Sequence, residues 1–228
     1  MSLVFIISAP SGSGKSTLVN EIRQLVPGLE FSISYTTRQP RGSEQNGREY
    51  FFAPREQFEK MRQAGEFLEC AEVFGNCYGT ARRFLREAEQ RGNDLLLDID
   101  VQGADQIKRS IPEAISIFVL PPDRKSLEFR LRKRGQDSEE VIHRRLATAS
   151  REIENYWKYD YILVNDRLED SVEALKSVLL AERQKHSGAQ LANDTALAQA
   201  ERYRLDRVRE RVQPILASFV PAATPGGR

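Results

Sequence analysis

The sequence predicts an α/β protein in which a parallel sheet is flanked by helices and interrupted by one small β-rich insert. Short apolar, β-branched stretches alternate with stretches whose apolar residues recur every three or four positions, which is typical of strands followed by amphipathic helices. A glycine-rich turn joins the first strand to the first helix. Strand–helix–strand crossovers build parallel sheets, and ligands then bind at the carboxyl ends of the strands.

The first strand, turn and helix predict a phosphate-binding loop. Leu3–Ile7 has the composition of a buried strand, and Leu18–Val26 places its apolar residues on one helix face. Backbone N–H groups of the turn and the helix N-terminus can hold an anion, while a lysine reaches the terminal phosphates and a serine holds Mg²⁺. Ala9 stands where the first glycine of G-x-x-x-x-G-K-[ST] is usual, and it fits if its φ is negative. An ordinary turn between core elements is the alternative. The loop comprises Ala9, Pro10, Ser11, Gly12, Ser13, Gly14, Lys15, Ser16 and Thr17.

The β-rich insert covers the next part of the chain. Strands are predicted over 31–36, 50–52, 67–74 and 77–80, and a short helix over 54–64. The polar segment 37–49 is rich in glycine and proline and is predicted to be a loop. It carries three arginines, for which solvated surface charges are the alternative to a binding role.

The second half returns to alternating strands and helices. The predicted strand 94–100 ends in Asp98 and Asp100, which is a typical way to position Mg²⁺ and its waters; a strand that simply meets solvent is the alternative. Two predicted helices between strands 115–120 and 161–165 are strongly basic, and a solvated charged surface is the alternative to anion binding there.

The C-terminal part is predicted to be an extension. Leu205, Val208, Val212 and Ile215 recur at helical spacing in a charged segment, so an amphipathic helix is expected within 186–220. It could dock on the core or pair with a second copy, so a monomer and a homodimer both remain open. Residues 221–228 are expected to be disordered.

Composition limits the partners. The 34 basic and 33 acidic residues balance, which argues against bulk binding to nucleic acid or to a membrane surface. No apolar stretch is long enough to cross a bilayer, and no signal peptide is recognisable. Two cysteines cannot build a disulfide framework, so we expect a cytoplasmic protein.

Several separated motifs over residues 1–185 resemble the guanylate kinase family. They are the phosphate loop, Ser34–Glu44 with Gly47 and Tyr50, Tyr78–Thr80, Leu97–Gly103 and Arg134–Glu140. The resemblance implies a P-loop nucleoside-monophosphate-kinase fold that moves the γ-phosphoryl group of ATP onto GMP with Mg²⁺ and no tightly bound organic cofactor. It implies a core of 1–33 and 81–185 with a helical lid at about 123–157, and a GMP-binding insert at 34–80.

The resemblance also implies roles for individual residues. Glu69 and Thr80 would contact the guanine base, Asp98 would orient GMP, and Glu44 would brace the arginine loop. The residues implied to hold the phosphate of GMP are Ser34, Arg38, Arg41, Tyr50 and Tyr78.

On the ATP side, the resemblance implies a loop of amides and a set of cations. Lys15 would follow the transferred phosphoryl group, with Arg38 assisting from the acceptor side, and Asn165 would meet adenine. Ser16, and Asp100 through water, would hold Mg²⁺. The implied lid arginines are Arg130, Arg134 and Arg145.

Three other functions compete with this interpretation. A non-catalytic guanylate-kinase-like module would bind a protein in the same groove, but such modules have degraded phosphate loops, whereas Gly14-Lys15-Ser16 is intact here. A P-loop kinase for another acceptor would share the loop, and only a difference in affinities separates the two. A nucleic-acid-binding role is disfavoured by the balanced charge.

Overall fold

The computed structural model describes residues 2–133, 135, 138–188 and 194–220. They belong to two compact units, Met1–Ser8 with Val19–Ser116 and Ala9–Leu18 with Ile117–Arg228. The strands are β1 (Val4–Ser8), β2 (Leu29–Ser32), β3 (Tyr35–Thr36), β4 (Phe51–Phe52), β5 (Phe67–Val73), β6 (Asn76–Ala81), β7 (Asp94–Asp98), β8 (Ile115–Leu120) and β9 (Tyr161–Val164). The helices are α1 (Lys15–Leu25), α2 (Arg55–Gln63), α3 (Arg82–Arg91), α4 (Val101–Ser110), α5 (Arg124–Lys133), α6 (Glu139–Ile153), α7 (Leu168–Ser187), α8 (Asp194–Glu201) and α9 (Leu205–Phe219).

The first unit contains three parallel strands of a buried sheet. Strand β7 lies between β1 and β2, with Val4 opposite Leu95 and Leu29 opposite Asp94. Most side chains of β1 and β7 are buried on both faces, which explains their continuous apolar sequences. The carboxyl end of β7 therefore presents Asp98, and Asp100 follows at the start of α4.

A second sheet in the same unit has the strand order β4-β3-β6-β5. Its antiparallel pair β5–β6 packs on α2 and β3 through Phe58, Phe67 and Cys77. The single strand predicted over 31–36 is wrong, because β2 pairs with β7 whereas β3 pairs with β4 and β6. Alternation along the sequence persists through the change of sheet, so the pattern could not reveal that the chain exchanges partners at Ile33 and Ser34.

The second unit joins β8 and β9 in parallel, with Ile117 opposite Tyr161. Every residue of β8 is buried, as its apolar sequence indicates. These parallel strands and helices, together with the first unit, confirm the predicted α/β class. Within the described parts of the chain, no helix combines the length and apolar content that a bilayer crossing requires.

The C-terminal helices dock on their own unit. Ser177 on α7 donates to Gln199 on α8 at 2.6 Å. The chain then adds an antiparallel bridge to β9, in which the Ile162 N–H donates to the Tyr203 carbonyl at 2.8 Å. Helix α9 buries Val208, Val212 and Phe219 and contacts α5 and β9. Of the two predicted alternatives, docking on the core is what the described residues show, and residues 221–228 lie outside them.

The end of α9 gives a test of how much this docking stabilises the protein. Phe219 is 4% exposed, whereas Phe129 on α5 is 65% exposed. We expect Phe219→Ala to lower the free energy of unfolding by about 3–4 kcal/mol through lost burial and a residual cavity. The matched Phe129→Ala change should cost at most ~0.5 kcal/mol. Urea denaturation followed by circular dichroism measures both, and equal losses would contradict the packing described here.

Candidate active site

The predicted phosphate loop has the backbone shape that anion binding requires. Gly12 and Gly14 adopt φ values of +97° and +88°, and α1 begins at Lys15 with no acidic residue in its first turn. The first turn of α1 therefore contributes no carboxylate of its own that would compete with an anion for its N–H groups. Ala9 is not among the residues with positive φ, since Phe74 is the one non-glycine residue of the described chain in that region. The alanine is thus compatible with the loop, as expected.

Two side chains from the second unit hold the loop in this shape. The Asn165 amide donates to the Ser13 carbonyl at 2.7 Å, and Asn165 is itself buried. The Arg130 guanidinium donates to the carbonyls of Ser13 at 3.3 Å and Asn165 at 2.8 Å. A Cβ on Gly14 would lie 2.4 Å from Asn165 Nδ2, so no larger residue fits there. The turn is a supported cradle rather than a free loop.

A cavity of about 450 Å³ opens beside this loop, within the second unit. Arg130 and Lys133 supply positive charge to its wall, and Thr17 supplies a hydroxyl. Its size suits a nucleotide-sized ligand, and glycine backbone plus cations suit a polyphosphate. The full lining is Gly12, Gly14, Thr17, Arg130, Lys133, Asn165, Asp166 and Leu168.

The first unit contains a buried arginine held by a carboxylate. Arg38 Nη1 and Nη2 donate to the two oxygens of Glu44 at 2.9 and 3.0 Å, and Nη1 also donates to the Gln39 carbonyl at 2.7 Å. Glu44 additionally accepts the Arg41 backbone N–H at 2.7 Å. The hydrogen bond from Arg38 lowers the pKa of Glu44, so the brace stays ionised at neutral pH. Glu44 thus fixes both the side chain of Arg38 and the backbone of the arginine loop.

Aromatic hydroxyls accompany this arginine. The guanidinium of Arg38 lies 5.2 Å from the ring centre of Tyr50, and the rings of Tyr50 and Tyr78 meet edge to face at 5.9 Å. Burial, followed by the charge of Asp98, raises the pKa of Tyr50 to about 12. Its hydroxyl therefore remains a hydrogen-bond donor at any physiological pH. Arginine N–H groups and tyrosine hydroxyls together form a donor set for a phosphate.

A buried carboxyl–hydroxyl pair lies in the same unit. Thr80 Oγ1 donates to Glu69 Oε1 at 2.7 Å across the β5–β6 pair, and both residues are buried. Burial raises the pKa of Glu69 to about 7, and the charge of Asp100 adds to the effect. A carboxylate in such a place is a strong acceptor for paired N–H donors of a ligand, since water cannot compete with them.

Comparison with known proteins decides the family. The guanylate kinase family model matches residues 1–182. The guanylate kinase of Koribacter versatilis is 60% identical over 227 residues, 97% of each chain, and that of Nitrosospira multiformis is 47% identical over 199 residues, 87% of this chain and 95% of the relative. The crystal structure of guanylate kinase from Anaplasma phagocytophilum superposes with a TM-score of 0.67 at 30% identity, covering 93% of this chain and 94% of that one. The chain belongs to the guanylate kinase family.

Membership in the guanylate kinase family makes this chain an enzyme, a nucleoside monophosphate kinase that uses ATP. It also confirms the predicted P-loop nucleoside-monophosphate-kinase fold, because the matched structure covers nearly the whole chain. Asn165 and Arg130 brace the phosphate loop in one unit, and the Arg38 and Glu69 clusters lie in the other.

Only some of the predicted site residues contact the phosphate loop or line its cavity. Arg130 and Asn165 meet the phosphate loop, whereas Arg145 is half-buried on α6 and, among the described residues, is not part of the cavity wall. Arg134 lies outside the described residues. Asp98 and Asp100 fall at the end of β7 and at the N-cap of α4, where Asp100 accepts the Gly103 N–H at 2.9 Å.

The sequence analysis did not predict several residues that line the cavity or contact the strand of Glu69. Lys133, Asp166 and Leu168 line the cavity, and Gln106 contacts the strand that carries Glu69. Asp166 could have been anticipated, since it directly follows Asn165 beyond the carboxyl end of β9. Gln106 carries no signal of its own, because a glutamine on a helix is ordinarily a surface residue.

Proposed function

We propose that this chain transfers the γ-phosphoryl group of ATP directly to GMP, giving ADP and GDP, as a guanylate kinase in guanine nucleotide synthesis and GMP recycling. The observation that carries the acceptor assignment is the buried Glu69–Thr80 pair in the same unit as the braced Arg38. Guanine presents two adjacent donors, its ring N–H and exocyclic amine, to the Glu69 carboxylate. Its carbonyl oxygen would accept the Thr80 hydroxyl proton, which in this structure is donated to Glu69 Oε1. Adenine has no donor at the corresponding ring nitrogen, so Glu69 favours guanine.

The phosphate of GMP is held by the donor set around Arg38. Ser34 is buried near the start of the arginine loop, and the hydroxyls of Tyr50 and Tyr78 add donors without charge. Arg41 is exposed, and its backbone is tied to Glu44, so its guanidinium can approach a phosphate once GMP is bound. Asp98 at the end of β7 orients the acceptor from the sheet. The proposed GMP-binding residues are Ser34, Arg38, Arg41, Glu44, Tyr50, Glu69, Tyr78, Thr80 and Asp98.

ATP binds through the phosphate loop and its cavity. The N–H groups available within residues 9–17 hold the β- and γ-phosphates, Lys15 follows the transferred group, and Asn165 is proposed to meet adenine. Arg130 lies on the same cavity and neutralises charge on the γ-phosphoryl oxygens, and Arg134 and Arg145 are proposed to assist it. The donor and acceptor steps need no covalent intermediate.

The transfer itself is an in-line displacement. A phosphate oxygen of GMP forms a bond to the γ-phosphorus while the bond from that phosphorus to the bridging oxygen of ADP breaks, and the electron pair leaves with ADP. Lys15 and the arginines stabilise the charge on the moving group, and Arg38 holds the attacking phosphate. The protein contributes position and positive charge rather than a nucleophile.

The first turn of α1 and the N-cap of α4 each offer an oxygen ligand of the kind that Mg²⁺ prefers. Ser16 offers an exposed hydroxyl in the first turn of α1, and Asp100 offers a carboxylate that already accepts from Gly103 and Gln102. No cluster of three or more histidine, cysteine or acidic residues suited to a metal exists among the described residues, so the phosphates and water must complete the coordination, as is usual for Mg²⁺. Bound Mg²⁺ would neutralise phosphate charge, with Ser16 as ligand and Asp100 acting through water.

Cellular location and assembly are part of the same proposal. A cytoplasmic location agrees with Cys70 and Cys77, which are both free thiols. The docked α9 favours a monomer, whereas the exposed Phe129 and Trp157 are apolar side chains that a homodimer could bury. No nucleic-acid or membrane partner is proposed.

The decisive experiment compares acceptors directly. Purified protein with ATP and Mg²⁺ is given GMP, AMP, CMP or UMP, and ADP formation is followed in a coupled assay. We expect GMP to be preferred in kcat/KM by at least ~10³-fold, since a site built around paired hydrogen bonds strongly rejects ligands that leave it unpaired. Preference for another acceptor would assign the chain to a different P-loop kinase activity, and no turnover by folded protein would refute the proposal.

The raised pKa of Glu69 predicts that use of GMP depends on pH. Because burial raises this pKa to about 7, the acceptor carboxylate is mostly ionised at pH 8 and mostly protonated at pH 6. We expect kcat/KM for GMP to fall roughly tenfold between these pH values. The phosphate of GMP also titrates in this range, so Glu69→Gln is the control, since it retains the ligand titration alone. A pH profile of the same shape in both proteins would contradict the role given to Glu69.

A further inference from the structure

Helix α4 contacts the strand that carries Glu69 through a side chain rather than through another strand. Strand β5 is the edge strand of its sheet, and no strand among the described residues pairs with its outer edge. On that edge the Cys70 N–H donates to Gln106 Oε1 at 3.1 Å, and Gln106 Nε2 donates to the Cys70 carbonyl at 2.8 Å. The glutamine amide therefore pairs with both backbone groups of the residue next to Glu69, as a neighbouring strand would.

The same face of α4 leaves room for the Glu69 carboxylate. Gly103 lies one turn before Gln106, and a Cβ at this position would be 2.6 Å from Glu69 Oε2 and 3.0 Å from its Cδ. The other oxygen, Oε1, is held by Thr80. The carboxylate thus occupies a slot between the Thr80 hydroxyl and the bare backbone of Gly103. Any side chain at residue 103 would displace it, since the helix backbone cannot move as readily as the end of a glutamate.

We propose that Gly103 and Gln106 are positioning residues that set the guanine specificity of this enzyme by fixing the place of Glu69. This inference rests on the proposed function, since it assumes that Glu69 accepts the guanine N–H groups. Two parallel hydrogen bonds to a base tolerate little displacement of the carboxylate, so its support must be rigid. Gln106 holds the backbone next to Glu69 in place. Gly103, which has no side chain, leaves the space that the Glu69 carboxylate occupies.

The role should appear in the Michaelis constant for GMP and not in the use of ATP. In Gln106→Ala both Cys70 backbone groups lose their partner, and we expect KM for GMP to rise about tenfold with kcat within about twofold. Gly103→Ala should raise KM for GMP by a similar factor. It should also shift the midpoint of the pH profile of kcat/KM away from that of the unmodified enzyme, because the carboxylate leaves its slot. KM for ATP should stay within about twofold in both variants.

Two controls separate positioning from damage to the fold. Arg109 is exposed in the last turn of α4, so Arg109→Ala should leave all constants unchanged. The inhibition constant of AMP against GMP tests the phosphate site alone, because AMP shares the phosphate but lacks the guanine donors. We expect it to change less than twofold in the variants. Thermal unfolding midpoints show whether each variant is folded. If Gln106→Ala does not fold, Gly103→Ala is the variant that tests the inference.

The outcomes distinguish this inference from the proposed function. If the unmodified chain phosphorylates GMP and folded variants keep KM for GMP within twofold, the positioning role is refuted while the function stands. Parallel rises of KM for GMP and of the AMP inhibition constant would also refute it, since they indicate general damage to the unit. If the unmodified chain does not use GMP, the proposed function itself fails.

Discussion

Lys15→Ala is expected to lower kcat by about 10³-fold or more while the protein remains folded. Lys15 is the first residue of α1, directly after Gly14 with its φ of +88°, so its ammonium group is carried by the element proposed to hold the phosphates. Its charge is useful mainly in the transition state, when negative charge spreads over the moving phosphoryl group. The loss should therefore fall on kcat more than on KM for ATP.

The test of Lys15 is a coupled assay at saturating ATP and GMP, with the unfolding midpoint measured in parallel. Lys125, exposed on α5, provides a matched control, and Lys125→Ala should retain full activity. Lys15→Arg should recover only part of the rate, because the guanidinium differs from ammonium in size and geometry. A folded Lys15→Ala protein that turns over within tenfold of the unmodified enzyme would exclude a role for Lys15 in the transfer.

Local motifs explain why the shape of the phosphate loop was predictable from sequence. The strand, the glycine turn and the first turn of α1 are consecutive, so their geometry follows from neighbouring residues alone. Gly12 and Gly14 adopt the positive φ values that the motif requires. Bracing by Asn165 could not be derived from the residues, since it joins positions 152 residues apart through a single amide.

The proposed acceptor site depends more on contacts between distant residues. Arg38 and Glu44 are six residues apart, and the family resemblance implies a role for both. The bidentate contact between them is visible only in the structure. The raised pKa of Glu69 arises from burial and from Asp100, neither of which the sequence shows. The exchange of sheets at residues 33–34 and the amide of Gln106 on Cys70 likewise depend on partners that no local pattern specifies.

Arg38→Ala should cause the largest loss on the GMP side. Three of the five guanidinium N–H groups are committed to Glu44 and the Gln39 carbonyl, and Tyr78 is a further hydrogen-bond partner, so these contacts fix the orientation of the whole guanidinium. Removal of the side chain would delete the proposed phosphate contact and leave the Glu44 carboxylate without its arginine, so that its negative charge would repel GMP. We expect KM for GMP to rise by about 10²–10³-fold, since breaking a buried charged contact costs roughly 3–4 kcal/mol. KM for ATP should change little.

A short series separates the charge of Arg38 from its geometry. Arg38→Lys keeps the charge but cannot span both oxygens of Glu44, so we expect an intermediate loss of about 10–100-fold in KM for GMP. Glu44→Gln keeps Arg38 but removes the ionic brace, and its loss should be smaller than that of Arg38→Ala. Arg48 belongs to the same loop with 68% of its side chain exposed, and Arg48→Ala is the matched control. If Arg38→Ala and Arg48→Ala raise KM for GMP equally, the positive charge of the loop, and not the arginine that Glu44 holds, would be what attracts the phosphate.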